Sequence, residues 1–135
     1  MTTFAKSLAQ ERPDEVAIRD PSTALTWSEV DVVLNQCANG LLSSNLGDSH
    51  RVAVFAENSV ETAMANLGGL IGGASVVPVN FHLNADEVNY ILNDSDARIL
   101  FVGPETAERG IEAALNSNIH TIIGWNIQGH DSITD

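Results

Sequence analysis

Few side chains in this 135-residue chain are of a type, and in a place, to do chemistry. Asn80 and His82 come first. They follow the apolar run 74–79, which reads as a β-strand, and so fall beyond its carboxyl end. Open α/β sheets place ligands there, although one loop histidine with no partner is only a solvated side chain. Asn58 and Ser59 follow a second apolar run, 51–56, and read as caps whose oxygens accept from the first turn of a helix. Gly68, Gly69, Gly72 and Gly73 are not a dinucleotide fingerprint, which needs glycines between a strand and a helix start. They fall at the end of a helical stretch and read as close helix–sheet packing. Cys37 sits in an apolar helical pattern and reads as a small buried hydrophobe rather than a nucleophile. His50, His82, His120 and His130 have no metal-ligand spacing with Cys37. Asp94-Ser95-Asp96 is too short for a calcium loop, and no serine sits in a nucleophile elbow. The sequence therefore assigns no catalytic, cofactor-binding or metal-ligating residue to this chain.

Charge narrows the field further. Six Lys and Arg stand against 18 Asp and Glu, a net charge of −12, and Lys6 is the only lysine. Such a balance excludes a nucleic-acid partner, which requires clustered cations, and docking on an anionic membrane by charge. Phosphoryl and adenylyl transfer need groups that neutralise developing charge. No Ser/Thr/Gly-rich loop and no lysine after Lys6 is present to supply them. The single cysteine allows no internal disulfide, which points to an intracellular protein. The amino terminus lacks the apolar core of a signal peptide. The longest uncharged apolar run, 67–79, is broken by four glycines and is too short to span a bilayer. A soluble, cytoplasmic protein with no transmembrane segment is expected.

The elements that must position these residues follow from periodicity. Residues 2–11 predict a short amphipathic helix ended by Pro13. Runs 16–19 and 24–26 predict a hairpin about the turn Asp20-Pro21-Ser22-Thr23. Thr26 or Ser28 caps the next helix, with Trp27, Val30, Leu34, Cys37 or Ala38, and Leu41 on one face and Gly47 as its left-handed stop. A strand over 51–56 leads to a helix with a buried stripe of Val60, Ala63, Met64, Leu67 and Ile71, ended by Gly72-Gly73. A strand over 74–79 leads to a helix capped by Asn84, with Val88, Ile91 and Leu92 inward. A strand over 98–102 leads to a helix opened by Pro104, with Ile111, Ala114 and Leu115 toward the core. The last strand is 120–124. Residues 125–135 are polar and carry no periodic signal. Strands separated by helices require crossovers and hence parallel pairing. The expected fold is α/β, a partial doubly wound parallel sheet with helices on both faces, preceded by a small β-hairpin.

Several short stretches, in order, resemble one family. These are LTWSEV at 25–30, Asn35 with Ala38-Asn39-Gly40-Leu41, Gly47-Asp48 with the run to Glu61, LGGLIGGASVVPVN at 67–80, and FHLNADEVNYILNDSDARILF at 81–101. Their order and spacing over about 110 residues, rather than any single piece, resemble the adenylate-forming, AMP-binding acid–CoA ligases. The resemblance implies residues 1–124 as the N-terminal subdomain of a larger enzyme and 125–135 as a tail interrupted before the rest. The parent enzyme would use ATP, Mg²⁺ and CoA to activate a carboxylic acid, with a fatty acid suggested by VNFHL at 79–83. The family's phosphate-binding lysine loop and C-terminal lysine have no counterpart here. This chain alone is therefore expected to be inactive, with the remainder of the enzyme as its partner and with a tendency to self-associate. Two other readings are a non-catalytic scaffold or interaction module, and an unrelated flavodoxin-like domain such as a receiver. A receiver would need an acidic cluster at the strand ends and a lysine, and the sequence pattern shows neither.

Overall fold

The computed structural model describes residues 5–126. Eleven elements follow one another: α1 (Lys6–Glu11), β1 (Val16–Arg19), β2 (Ala24–Thr26), α2 (Trp27–Leu42), β3 (Arg51–Phe55), α3 (Val60–Ile71), β4 (Ser75–Val79), α4 (Ala85–Ser95), β5 (Ile99–Val102), α5 (Ala107–Ala114) and β6 (Thr121–Gly124). Strands β1 and β2 form an antiparallel hairpin. The other four make a parallel sheet in the order β4-β3-β5-β6. The expected α/β architecture is present. Residues 2–4 of the first predicted helix lie outside the described residues.

The sheet's two central strands are apolar throughout because both faces are covered. Val52 and Val54 of β3 share one face with Ile99 and Phe101 of β5, beneath Ala65 of α3 and Leu41 of α2. Ala53 and Phe55 share the other with Leu100 and Val102, beneath Val88 and Leu92 of α4 and Ala107 and Ala113 of α5. A third cluster, Val30, Leu34, Val60 and Met64, joins α2 to α3 and receives Ile18 and Leu25 of the hairpin. The chain moves outward from β3 to β4 through α3 on one face. It then moves back across β3 to β5 and on to β6 through α4 and α5 on the other. Reversing direction and face together keeps the crossover hand constant, as the handedness of strand twist requires.

Local chemistry sets the helix starts. Thr26 accepts from the Glu29 amide while the Glu29 carboxylate accepts from the Thr26 amide, a reciprocal capping box. Asn84 and Glu87 repeat it at α4, and Ser59, not Asn58, caps α3.

Four expectations are corrected. Gly47 does adopt a left-handed conformation, φ +65°, but it lies in the following loop and does not end α2. That helix stops at Leu42, where the Ser43 and Ser44 hydroxyls donate to the Gly40 carbonyl. Pro104 does not open α5. It belongs to a turn closed by the Thr106 amide on the Gly103 carbonyl, and the helix begins at Ala107. Ala107, Gly110, Ala113 and Ala114 face inward, and the helix ends at Ala114, so Leu115 is its C-cap and is 75% exposed. The glycines of α3 divide their work: only Gly69 faces the sheet, whereas Gly68 and Gly72 meet Cys37 and Leu41 of α2.

A Cβ at Gly69 would lie 2.6 Å from Val76 Cγ2 and 3.3 Å from Val52 Cγ2. Gly40, in the exposed stretch of α2, has nothing within 4 Å. Gly69→Ala is expected to destabilise by about 1–3 kcal/mol through overpacking. Gly40→Ala is expected to stabilise by about 0.5–1 kcal/mol through backbone entropy. Urea melts of the two variants beside the parent chain check the opposite signs.

Candidate functional site

Because α3 leaves β3 toward one face and α5 leaves β5 toward the other, the crevice of this sheet opens where those adjacent strands end. Open α/β sheets bind ligands at such a switch point. A cleft of about 220 Å³ lies there. Its walls are the β3–α3 loop with Glu57, Asn58 and Ser59, the β5–α5 loop with Pro104 and Glu105, the hairpin turn, and Trp125 with Asn126.

Several of the chain's own groups hydrogen-bond across and around it. Thr106 is fully buried. Its hydroxyl donates to the Phe55 carbonyl at the end of β3 and accepts from the Gly103 amide at 3.1 Å. Glu105 Oε1 accepts from the Glu57 amide at 2.7 Å, so the two loops are tied across the crevice. Asp20 reaches in from the hairpin turn. One carboxylate oxygen accepts from the Ser22 and Thr23 amides, and the other from the Val60 amide in the first turn of α3, each at 2.8 Å. A carboxylate of the protein thus takes the anion position at that helix start. Those amides, with Val60 first, hold the Asp20 carboxyl below the usual carboxylate range. Thr23 donates to Glu61 at 3.3 Å.

Four carboxylates, Asp20, Glu57, Glu61 and Glu105, therefore line the cleft, and no lysine or arginine is among its lining residues. Such a field repels phosphate groups. The residues present do not fit a nucleotide. Among the described residues no group of three or more His, Cys, Asp and Glu is placed to hold a metal ion.

Of the residues singled out from the sequence, Asn58 and Ser59 line the cleft and the others fall elsewhere. Asn80 and His82 lie past β4, the edge strand, and do not line the cleft. Asn80 Oδ1 accepts from the His82 amide at 3.0 Å and lies 3.2 Å from its Nδ1. Their loop is held from α5 by Arg109, which donates to the Phe81 and Leu83 carbonyls while its guanidinium stacks 5.1 Å from the centre of the Phe55 ring. His50 and His120 sit at the opposite, amino end of the sheet, where His120 Nε2 donates to the Asn45 carbonyl at 2.6 Å. His130 lies outside the described residues. Cys37 packs against Gly68, and burial pushes its thiol up to about 11, far from a reactive thiolate. Asp96, last of the short acidic run, ends α4 in a left-handed conformation. Its carboxylate takes Asn118 at 2.7 Å and Arg98 at 3.1 Å, and both contacts lower its pKa.

Sequence reasoning found no acidic cluster at the strand ends, yet the fold makes one. Asp20, Glu57 and Glu105 are far apart in the chain. The one available signal was their position: each stands in the turn just after an apolar run.

Comparison with known proteins bears on all of this. The family described as AMP-binding enzyme matches residues 5–128. The 3-hydroxybenzoate–CoA ligase of Aromatoleum sp. (strain CIB) is 32% identical over 74% of this chain and 19% of its own length. The long-chain-fatty-acid–CoA ligase FadD13 of Mycobacterium tuberculosis is 34% identical over 65% of this chain and 18% of its own. The inhibitor-bound crystal structure of the N-terminal domain of FACL13 from M. tuberculosis superposes with a TM-score of 0.76 at 29% identity. The match covers 90% of this chain and 32% of the FACL13 chain. The chain thus spans about a fifth of the length of these curated relatives.

Two outcomes are expected, one at the crevice and one from the carboxylates. Thr106→Val leaves the Phe55 carbonyl and Gly103 amide without their partner and should cost about 1–3 kcal/mol, read from the urea midpoint. Asp20 and Asp96 both have folded pKa values below the unfolded value. The stability they add is complete above the ordinary carboxylate range and is lost as pH falls through their folded values. Acid titration of the melting temperature should show that loss, and Asp20→Ala should remove its share of the slope.

Proposed function

Because the chain belongs to the AMP-binding enzyme family, we propose that it forms the N-terminal part of an AMP-forming acid–CoA ligase whose catalytic groups lie in polypeptide beyond it. Residues 1–124 are the N-terminal subdomain in this reading, and 125–135 lead toward the rest. The parent protein joins a carboxylic acid to ATP, releasing pyrophosphate and leaving an acyl-adenylate. It then passes the acyl group to the thiol of CoA and releases AMP. Mg²⁺ accompanies ATP, and the location is cytoplasmic. None of these cofactors is assigned to a residue here.

The observation that carries the reading is the acidic lining of the cleft. A family that handles a polyanionic nucleotide is matched over nearly the whole chain, yet the crevice at the sheet's switch point offers four carboxylates and no cation. This segment is accordingly a scaffold wall, and the charge-neutralising groups belong to the remainder. A fatty acid is the proposed substrate class, supported by the FadD13 likeness and by VNFHL at 79–83. An aromatic acid is the second reading, favoured by the similar identity to the 3-hydroxybenzoate–CoA ligase.

Acid-dependent exchange of pyrophosphate into ATP tests both levels. The purified 135-residue chain should show none, and exchange above a buffer blank would overturn the assignment of catalysis to other polypeptide. A longer product of the same reading frame should show exchange, faster with fatty acids than with benzoates. The reverse order selects the aromatic reading, and no exchange with any acid leaves a non-catalytic scaffold.

A further inference from the structure

Asn39 and Gly40 are the one Asn-Gly pair in the chain. They lie in the last turn of α2, and both are exposed. Nothing stands within 4 Å of where a Gly40 Cβ would be, so no neighbouring side chain shields the peptide bond between them. That pair carries its own chemistry. The main-chain nitrogen after an asparagine can attack the side-chain amide carbon, and glycine, having no Cβ, hinders the attack least. The helix opposes it. As a residue of α2, Gly40 has its amide in the i→i−4 ladder, and a helical backbone holds that nitrogen away from the Asn39 side chain. The reaction therefore waits for the turn to open.

The turn is lightly held. Glycine is among the poorest helix formers. Of residues 39–42 only Leu41 is buried, at 2% exposure, whereas Leu42 is 72% exposed. The end is closed by the Ser43 and Ser44 hydroxyls, which donate to the Gly40 carbonyl at 3.0 and 2.8 Å, and both bonds are exposed. Few buried contacts and exposed hydrogen bonds mark a segment that opens without global unfolding.

We infer that Asn39 is a site of spontaneous covalent modification, deamidation through a cyclic imide, gated by opening of the last turn of α2. The Gly40 nitrogen bonds to Asn39 Cγ, the bond from Cγ to Nδ2 breaks, and ammonia leaves with the proton of the Gly40 amide. Water then opens the imide at one carbonyl or the other, leaving aspartate or isoaspartate at position 39. Water is the only co-reactant. Either product sets a new carboxylate near the C-terminal end of α2, where the helix dipole disfavours it, in a chain already at net charge −12. Isoaspartate also routes the main chain through the side-chain carbon, so the turn no longer closes in register. Leu41, which packs where Gly72 of α3 leaves room for it, follows in that same turn. The modification thus loosens the contact of α2 with α3.

The purified chain is held at mildly alkaline pH, sampled over time, and mapped by peptide mass, with isoaspartyl methylation as an independent label. Aspartate and isoaspartate should appear at position 39 before any other asparagine reacts. Urea below the unfolding midpoint should speed the change. Gly40→Ala should lose it. That variant tightens the turn as well as hindering the attack, so a second one separates gate from chemistry. Ser43→Ala with Ser44→Ala removes the closing hydroxyls, leaves the Asn-Gly pair, and should speed the modification. Reaction at another asparagine first, or none at Asn39, overturns the proposal. A rate at Asn39 unmoved by urea and by the serine substitutions overturns the gate.

Discussion

The rest of the structure depends on the double burial of β3 and β5. Their main-chain groups are spent on parallel neighbours, and their side chains are apolar on both faces, so neither face can be left to water. Val52, Ala53, Phe55, Leu100 and Val102 are fully buried. One face is met by α3 with α2 behind it, the other by α4 and α5. The demand for close cover explains the glycines. Gly69 admits the side chains of Val76 and Val52 on one face, and Gly110 admits Val102 on the other. A methyl group at either would lie 2.6 Å from a valine side chain of the sheet.

The same double cover creates the crevice. Helices that leave adjacent strands toward opposite faces open a gap at the strand ends, and this chain stitches its gap with Thr106 and Glu105. The buried hydroxyl of Thr106 satisfies a carbonyl that neither helix can reach. Glu105 and Asp20 then occupy amides that in other sheets of this design are open to an anionic ligand. Structural satisfaction and the acidic field are thus one fact. The carboxylates that order the loops also make the crevice unsuited to phosphate.

The hairpin and α1 are a second consequence. They pack on α2 and α3, not on the sheet. Asp20 is the link between the layers, a turn residue that closes its own hairpin and also caps the first turn of α3. The loop past β4 is ordered in a similar way from a distance, through the hold of Arg109 on the Phe81 and Leu83 carbonyls.

The sequence by itself determined the order of elements, the parallel sheet, the hairpin and the family, because apolar periodicity and capping pairs such as Thr26–Glu29 and Asn84–Glu87 are local and repeat within a few residues. It also showed how few cations the chain has, one lysine and five arginines, because that is a matter of counting. It misread Pro104, because a proline suits both the first turn of a helix and a tight turn, and only the closure of Gly103 with Thr106 chooses between them. It placed Leu115 inside because periodicity continues the helix one residue too far: α5 ends at Ala114 and Leu115 is its exposed C-cap. Only the tertiary structure decided where the crevice lies and what lines it. Asp20, Glu57 and Glu105 carry no mutual signal along the chain. They meet because strand order and the faces taken by α3 and α5 are set by packing, and packing acts across space, not along sequence.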